Sequence, residues 1–520
     1  MGIEANPVNF SESLEPFLIV LSVSLSVATL SRTVPLLRKI PYTLLLVMVG
    51  MGLAFIDVRL VNLSPELILE IFLPPLLFEA AWNLSWRKLK ANWFAITLLA
   101  IIGVIISVLG ISLALNYFNG MALPIALLVG AALSATDPVS VVALFKELGA
   151  SKKLTTLMEG ESLFNDGVAV VAFLLLVGIP LGTETFSLSG TVAHFFTFVG
   201  IGVGIGLAIG FSLSLLTQRF DLPFVEQSLT LVAAYGAYLL AEELGGSGVI
   251  SVVVVGIVLG NYGSRIGMNP RTRLIVSIFW EFVAFFVNSI IFLLIGDQIR
   301  FANLASHLPL IGVAILAMVL TRLVSVFGLS TLGNWLAQSN IRWQEQTVLW
   351  WGGLRGSVSI ALALSVPQSI AFRQELIDIV FGVVLFTLLV QGLTMQFVLK
   401  SLDLIGDQPL RQEYAELVSR QLALMRVLAK LEQKDNFPEI DAELFRYKQE
   451  LVEGQLASVK DKLQALMQSH PQLKEVAAKK FDTQLLDIEA ETYAELIREG
   501  RLDENLAPVL ITLVTEPDPS

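Results

Sequence analysis

The chain has 520 residues, 55% of them hydrophobic and only 15% charged, and its mean hydropathy of +0.73 excludes an ordinary soluble domain and places it in a bilayer. The absence of cysteine excludes disulfides, thiolate metal sites and cysteine nucleophiles, and His194, His307 and His470 are too scattered for a zinc site on one helix face. Much of the net charge of −11 lies beyond residue 402, where 23 acidic residues face 14 basic ones, a balance that speaks against nucleic acid or anionic lipid as its partner.

A hydrocarbon layer about 30 Å thick takes roughly 20 apolar residues per helix. About 13 such windows are predicted, near 13–31, 42–56, 65–83, 92–116, 121–147, 155–178, 191–217, 226–243, 247–262, 273–296, 308–333, 345–366 and 376–400. Glu4, Glu12 and Glu15 precede the first basic residue, Arg32, so the first window lacks the basic leader of a cleaved signal peptide and is expected to be retained. Lys and Arg gather in alternate connections: Arg32, Arg38 and Lys39; Arg87, Lys88 and Lys90; Lys146, Lys152 and Lys153; Arg219; Arg265, Arg271 and Arg273; Arg342. The opposite connections hold only Arg59, Arg300 and Arg373, which predicts an outside N-terminus and a cytoplasmic C-terminus.

The expected fold is therefore an all-α polytopic membrane domain over 1–402, followed by a soluble acidic helical tail over 403–520. The tail shows apolar residues at three- and four-residue spacing in EYAELVSRQLALMRVLAKLEQ and KQELVEGQLASVKDKLQALM. No motif in it decides between an oligomer contact and regulation.

An ionisable group inside a span costs at least a few kcal/mol and needs a partner, a polar cavity or a function. Such groups cluster in the fifth and sixth spans, with Asp137 in LSATDPVSVV and Glu161, Asn165 and Asp166 in EGESLFNDGVAVVAF; Arg355 follows in GGLRGSVSIALALSVP of the twelfth. Four-residue spacing puts Ser162 on the face of Asp166, and Glu161 on that of Asn165. A hydroxyl and a carboxylate on one face are hard oxygen ligands suited to a small cation. Pro138 lacks an N–H and frees the carbonyl of Ser134, so the chain around Thr136 should unwind and present backbone oxygens. The glycines of GGLRG and Pro367 interrupt the twelfth span in the same manner. Seven spans separate the two breaks, so the broken helices enter from opposite sides, as inverted repeats would arrange them, and cross near the midplane with their terminal dipoles beside the carboxylates.

Taken together, ATDPVSVVALF, EGESLFNDGVAVV, GGLRGSVSIALAL and the weaker LPPLLFEAAW resemble the monovalent cation:proton antiporter superfamily, in the branch of bacterial NhaP-type sodium/proton antiporters and animal sodium/proton exchangers. The resemblance covers roughly residues 10–400. It implies a homodimer in a prokaryotic plasma membrane, with spans 4–6 and 11–13 as a moving core and spans 1–3 and 8–10 as a dimerisation scaffold. It implies that Asp166 binds cation and proton in alternation, that Asp137, Thr136 and Ser162 complete the cation site, and that no cofactor is needed. It further implies that Asn165 marks exchange of one cation per proton, and that Glu161 and Arg355 form a buried ion pair joining the sixth and twelfth spans.

Glu281 and Arg322 are expected to form a second, structural pair between the tenth and eleventh spans, and Glu79 to line a cytoplasmic funnel. Potassium in place of sodium or lithium is compatible with the same ligands, since cavity size decides among them. A cation channel fits less well, because no filter loop is present. An intramembrane serine protease built on Gly245-Gly246-Ser247-Gly248 lacks a histidine placed to serve it.

Overall fold

The computed structural model describes residues 10–34, 37, 40–56, 60, 64–182, 188–219, 222–264, 268–337, 339–404, 408–432, 442–470 and 473. Arg38, Lys39, Arg59 and Arg265, which entered the charge pattern of the connections, lie outside them, as does the tail beyond 473. The chain divides into two compact units, Met1–Ile405 and Gly406–Ser520.

The first unit is built from α1 Phe10–Thr33, α2 Tyr42–Phe55, α3 Leu73–Asn83, α4 Trp86–Asn119, α5 Leu123–Ala132, α6 Val139–Leu148, α7 Lys152–Val177, α8 Leu188–Thr217, α9 Pro223–Glu243 and α10 Gly248–Gly263. It continues with α11 Pro270–Asp297, α12 Phe301–Ser306, α13 Leu308–Ala337, α14 Trp343–Trp351, α15 Ser357–Leu364 and α16 Arg373–Ser401. Each expected window falls on helix. Seven of the described helices are long and apolar enough to cross a bilayer, with α4 the longest at 34 residues.

Two helix pairs, α5–α6 and α14–α15, fill the fifth and twelfth windows. In the first, α5 stops at Ala132 and α6 restarts at Val139 after Pro138, which has no N–H to continue the ladder. Gly149, at φ +77°, ends α6 in the left-handed conformation that a side chain would resist. The Ser151 hydroxyl then accepts the Leu154 N–H at 3.2 Å and starts α7. In the second, Glu345 accepts the Arg342 N–H at 2.8 Å to start α14, and Gly352-Gly353 stop it. Pro367 lies beyond the end of α15 rather than within the helix.

Helices α1, α2, α3, α9, α10 and α11 pack among themselves, with α8 against α9 and α10. Helices α4, α5 and α7 pack with one another, and α13 joins α4, α14 and α16, while α15 joins α5 and α16. Small residues permit a close approach between α2 and α11: a Cβ on Gly50 would overlap the Leu293 carbonyl, and one on Gly296 the Val47 carbonyl. The Trp280 indole is fully buried, lies tilted against the Phe78 ring with centroids 4.2 Å apart and donates to Thr230 Oγ1 at 3.0 Å, locking α11 to α3 and α9.

The second unit contains α17 Gln408–Glu432 and α18 Ala442–Ser469, which pack against each other and bury Tyr414, Leu456 and Val459. Both are helices where the tail's apolar spacing predicts them.

Candidate cation site

The two breaks touch. The Asp137 N–H donates to the Leu354 carbonyl at 2.8 Å, so the unwound turn after α5 is stitched to the one after α14. The carbonyls freed by Pro138 are taken by Arg355, whose Nη1 donates to Ser134 O and Ala135 O at 2.9 Å each. The Arg355 N–H in turn donates to Thr387 Oγ1 of α16 at 3.0 Å. Each broken helix thus satisfies the other's loose backbone groups, which a single break in hydrocarbon could not do.

This arrangement corrects the predicted ion pairs. Glu161 does not pair with Arg355: both its carboxylate oxygens accept from Arg322 of α13, from Nη1 at 2.6 Å and from Nη2 at 2.8 Å. Nη2 also donates to the Leu349 carbonyl at 3.1 Å. A Cβ on Gly353 would collide with this guanidinium, so the glycine leaves room for it to lie across the break. The second predicted pair falls with the first, since Arg322 is spent on Glu161 and Glu281 is exposed on α11. Glu79 accepts from Asn83 Nδ2 at 2.6 Å and does not line the cavity described next.

Thr136, Asp137, Ser162 and Asp166 line one cavity of about 80 Å³, enough for a small ion and a water or two. Asn165 fixes the turn beside it. Its Oδ1 accepts the Thr136 N–H at 3.2 Å, and its Nδ2 donates to Thr136 Oγ1 at 2.6 Å and to Glu161 Oε1 at 3.2 Å. The Ser162 hydroxyl donates to the Thr136 carbonyl. Neither hydroxyl bonds back to its own helix, and each retains acceptor capacity on its oxygen. Asp137 Oδ1 accepts the Val139 N–H at 3.0 Å at the start of α6. Asp166 is 8% exposed, and among the described residues no donor reaches its buried Oδ1.

Gly356 sets the far wall: a Cβ there would overlap the Asp137 carboxylate, so only glycine lets the second break approach so closely. Gly356 and Thr387 are functional neighbours that sequence reading missed. The glycine-rich string was visible as a break, but not as space reserved for two charged side chains.

The remaining sequence features take other places. Ser247 Oγ accepts the Ile250 N–H at 3.3 Å as the cap of α10, while His194 is exposed and His307 lies 3.1 Å from Asp378. Among the described residues no hydrogen bond joins Ser247 to a histidine, and its hydroxyl serves the helix cap instead.

The profile of the family described as "Sodium/hydrogen exchanger, transmembrane" matches residues 21–401. The chain is 75% identical over 513 residues to the low-affinity Na(+)/H(+) antiporter NhaS1 of Synechocystis sp., covering 98% of this chain and 97% of that one. It is 63% identical to the Na(+)/H(+) antiporter ApNhaP of Aphanothece halophytica, covering 100% of this chain and 99% of that one. The solved structure of the sodium proton antiporter MjNhaP1 from Methanocaldococcus jannaschii superposes with a TM-score of 0.61 at 21% identity, covering 74% of this chain and all of that one. The fold is therefore shared with that antiporter, and with two broken helices meeting beside Asp137 and the buried Asp166, this integral membrane chain belongs to the sodium/hydrogen exchanger family.

Proposed function

We propose that this chain is a secondary sodium (or lithium)/proton antiporter in which cation and proton compete for Asp166. The observation that carries the reading is Asp166 itself, a carboxylate buried in a cavity with Asp137, Thr136 and Ser162, whose Oδ1 receives no donor from the described protein. A proton on that oxygen and a cation bound to it exclude each other. Obligatory exchange follows if the empty, ionised site does not cross.

Asn165, the neighbour of Asp166, adds no charge to the site, which supports exchange of one cation for one proton and is consistent with its implied place in the electroneutral branch.

In this reading residues 1–402 form the transport domain, with spans 4–6 and 11–13 as the moving core and spans 1–3 and 8–10 as the scaffold of a homodimer. Most of the packing falls within, rather than between, the two helix groups, which supports that division. Residues 403–520 form a cytoplasmic tail, and the basic alternate connections support an outside N-terminus in a bacterial plasma membrane. There the activity would serve pH homeostasis and salt tolerance.

The test is sodium-driven collapse of an imposed pH gradient in proteoliposomes, with voltage clamped by potassium and valinomycin. Wild type is expected to dissipate the gradient on sodium addition, and Asp166→Asn to elute as folded protein yet fail completely. Exchange retained in the variant would remove Asp166 from the mechanism.

A further inference from the structure

The cavity has two walls of different chemistry. One, from the breaks and α7, supplies Thr136, Asp137, Glu159, Ser162 and Asp166. The other, from α3 and α11, supplies Leu73, Leu76, Leu77 and Ala80, together with one polar residue, Asn288. Asn288 lies two turns past Glu281 on α11, but whereas Glu281 is exposed, Asn288 is 7% exposed. Among the described residues its carboxamide makes no hydrogen bond, although nearby Ser289 binds its own helix at 2.7 Å and Trp82 reaches Ser277 at 3.0 Å. A buried carboxamide that lines a cavity without a protein partner costs about 1–3 kcal/mol unless something in the cavity satisfies it.

We propose that Asn288 is a cation-binding residue on the wall opposite the carboxylates, its Oδ1 accepting from the water shell of the alkali cation or ligating it directly. The inference rests on the antiporter reading and deepens it. A carboxamide oxygen is a hard, neutral ligand. It adds to cation affinity without adding charge and without offering a site to the proton. Asn288 therefore acts on one half of the exchange cycle only, and from a helix that packs in the other group from the carboxylates. A cation held from both walls is bound most tightly while the walls face each other as they do here, which ties cation binding to this position of the two groups.

The experiment measures sodium-dependent exchange in proteoliposomes for wild type, Asp166→Asn, Asn288→Ala, Asn288→Leu and Asn288→Ser, each checked for a monodisperse folded peak. Loss of one hydrogen bond to the ion or its shell predicts a rise of about three- to tenfold in the sodium KM of the Ala and Leu variants. Their maximal rates should stay within about twofold of wild type, and Ser, which restores a hard oxygen, should fall between. Wild-type KM in Ala or Leu, or a lowered maximal rate at unchanged KM, overturns the inference; if either variant does not fold, the Ser variant and the remaining apolar one decide on the same criterion. A wild type that fails to exchange, or an active Asp166→Asn, would instead overturn the underlying reading.

Discussion

Asp137 and Gly356 come from parts of the chain more than two hundred residues apart, yet no methyl group fits between them. A Gly356→Ala chain must either push the Asp137 carboxylate out of the cavity or part the two breaks, and the neighbouring bond from Asp137 N–H to Leu354 O resists the second. The expected outcome is a folded protein whose sodium KM rises at least about tenfold, since displacing a charged ligand forfeits upward of ~1.4 kcal/mol. Gly312→Ala, whose Cβ meets nothing within 4 Å, is the matched control and should transport as wild type. Equal behaviour of the two variants in the proteoliposome assay would show that the collision is relieved at no cost. At this scale much of the site was legible in the sequence. Asp137, Asp166, Thr136 and Ser162 were found because ionisable groups are rare in apolar spans and because four-residue spacing fixes which share a face. Asn288 was not, since one amide in FVAFFVNSII looks like any tolerated polar residue until the opposite wall of the cavity is known.

Glu161 and Arg322 work at the scale of elements, tying α7 to α13 through two short bonds in a site from which water is excluded. Removing one partner strands the other's charge, so Glu161→Gln should destabilise by about 3–5 kcal/mol and lower the melting temperature in detergent. Replacing both together, Glu161→Met with Arg322→Met, should recover a large part of that loss. A single variant as stable as wild type would mean that the pair holds nothing. The pairing was illegible because helical periodicity reports neighbours on one helix and says nothing about which helix lies opposite. Two arginines, 322 and 355, stood within reach of one glutamate, and the choice between them depended on the freed carbonyls of Ser134 and Ala135 drawing Arg355 away. The breaks themselves were legible, one from a proline and the other from a glycine string, because the physics that opens a helix is local. The ends of α4 were less so: hydropathy marks 92–116, yet the helix begins at Trp86. Its first turns carry Arg87, Lys88 and Lys90, charges that shorten an apolar window without stopping a helix.

For the whole molecule, competition at one carboxylate makes a prediction that no single contact does. As pH falls, protons occupy Asp166 more of the time, so the apparent KM for sodium should rise while saturating sodium restores the same maximal rate. Initial rates measured over a series of pH values with sodium varied at each would check this; a maximal rate that falls in step with a constant KM would point to separate sites for the two ions. The family profile ends at residue 401, before the second compact unit begins at Gly406. Arg355 has a consequence for that unit as a whole. Two opened helices leave backbone carbonyls in need of donors, and here a guanidinium fixed to the chain supplies them to Ser134 and Ala135. The protein carries its own permanent donor, so these two carbonyls need no cargo ion to satisfy them. Sodium equal to its dissociation constant then adds only about 0.4 kcal/mol of linkage stabilisation. The break is thus held by a cation built into the chain, whether or not the transported one is bound.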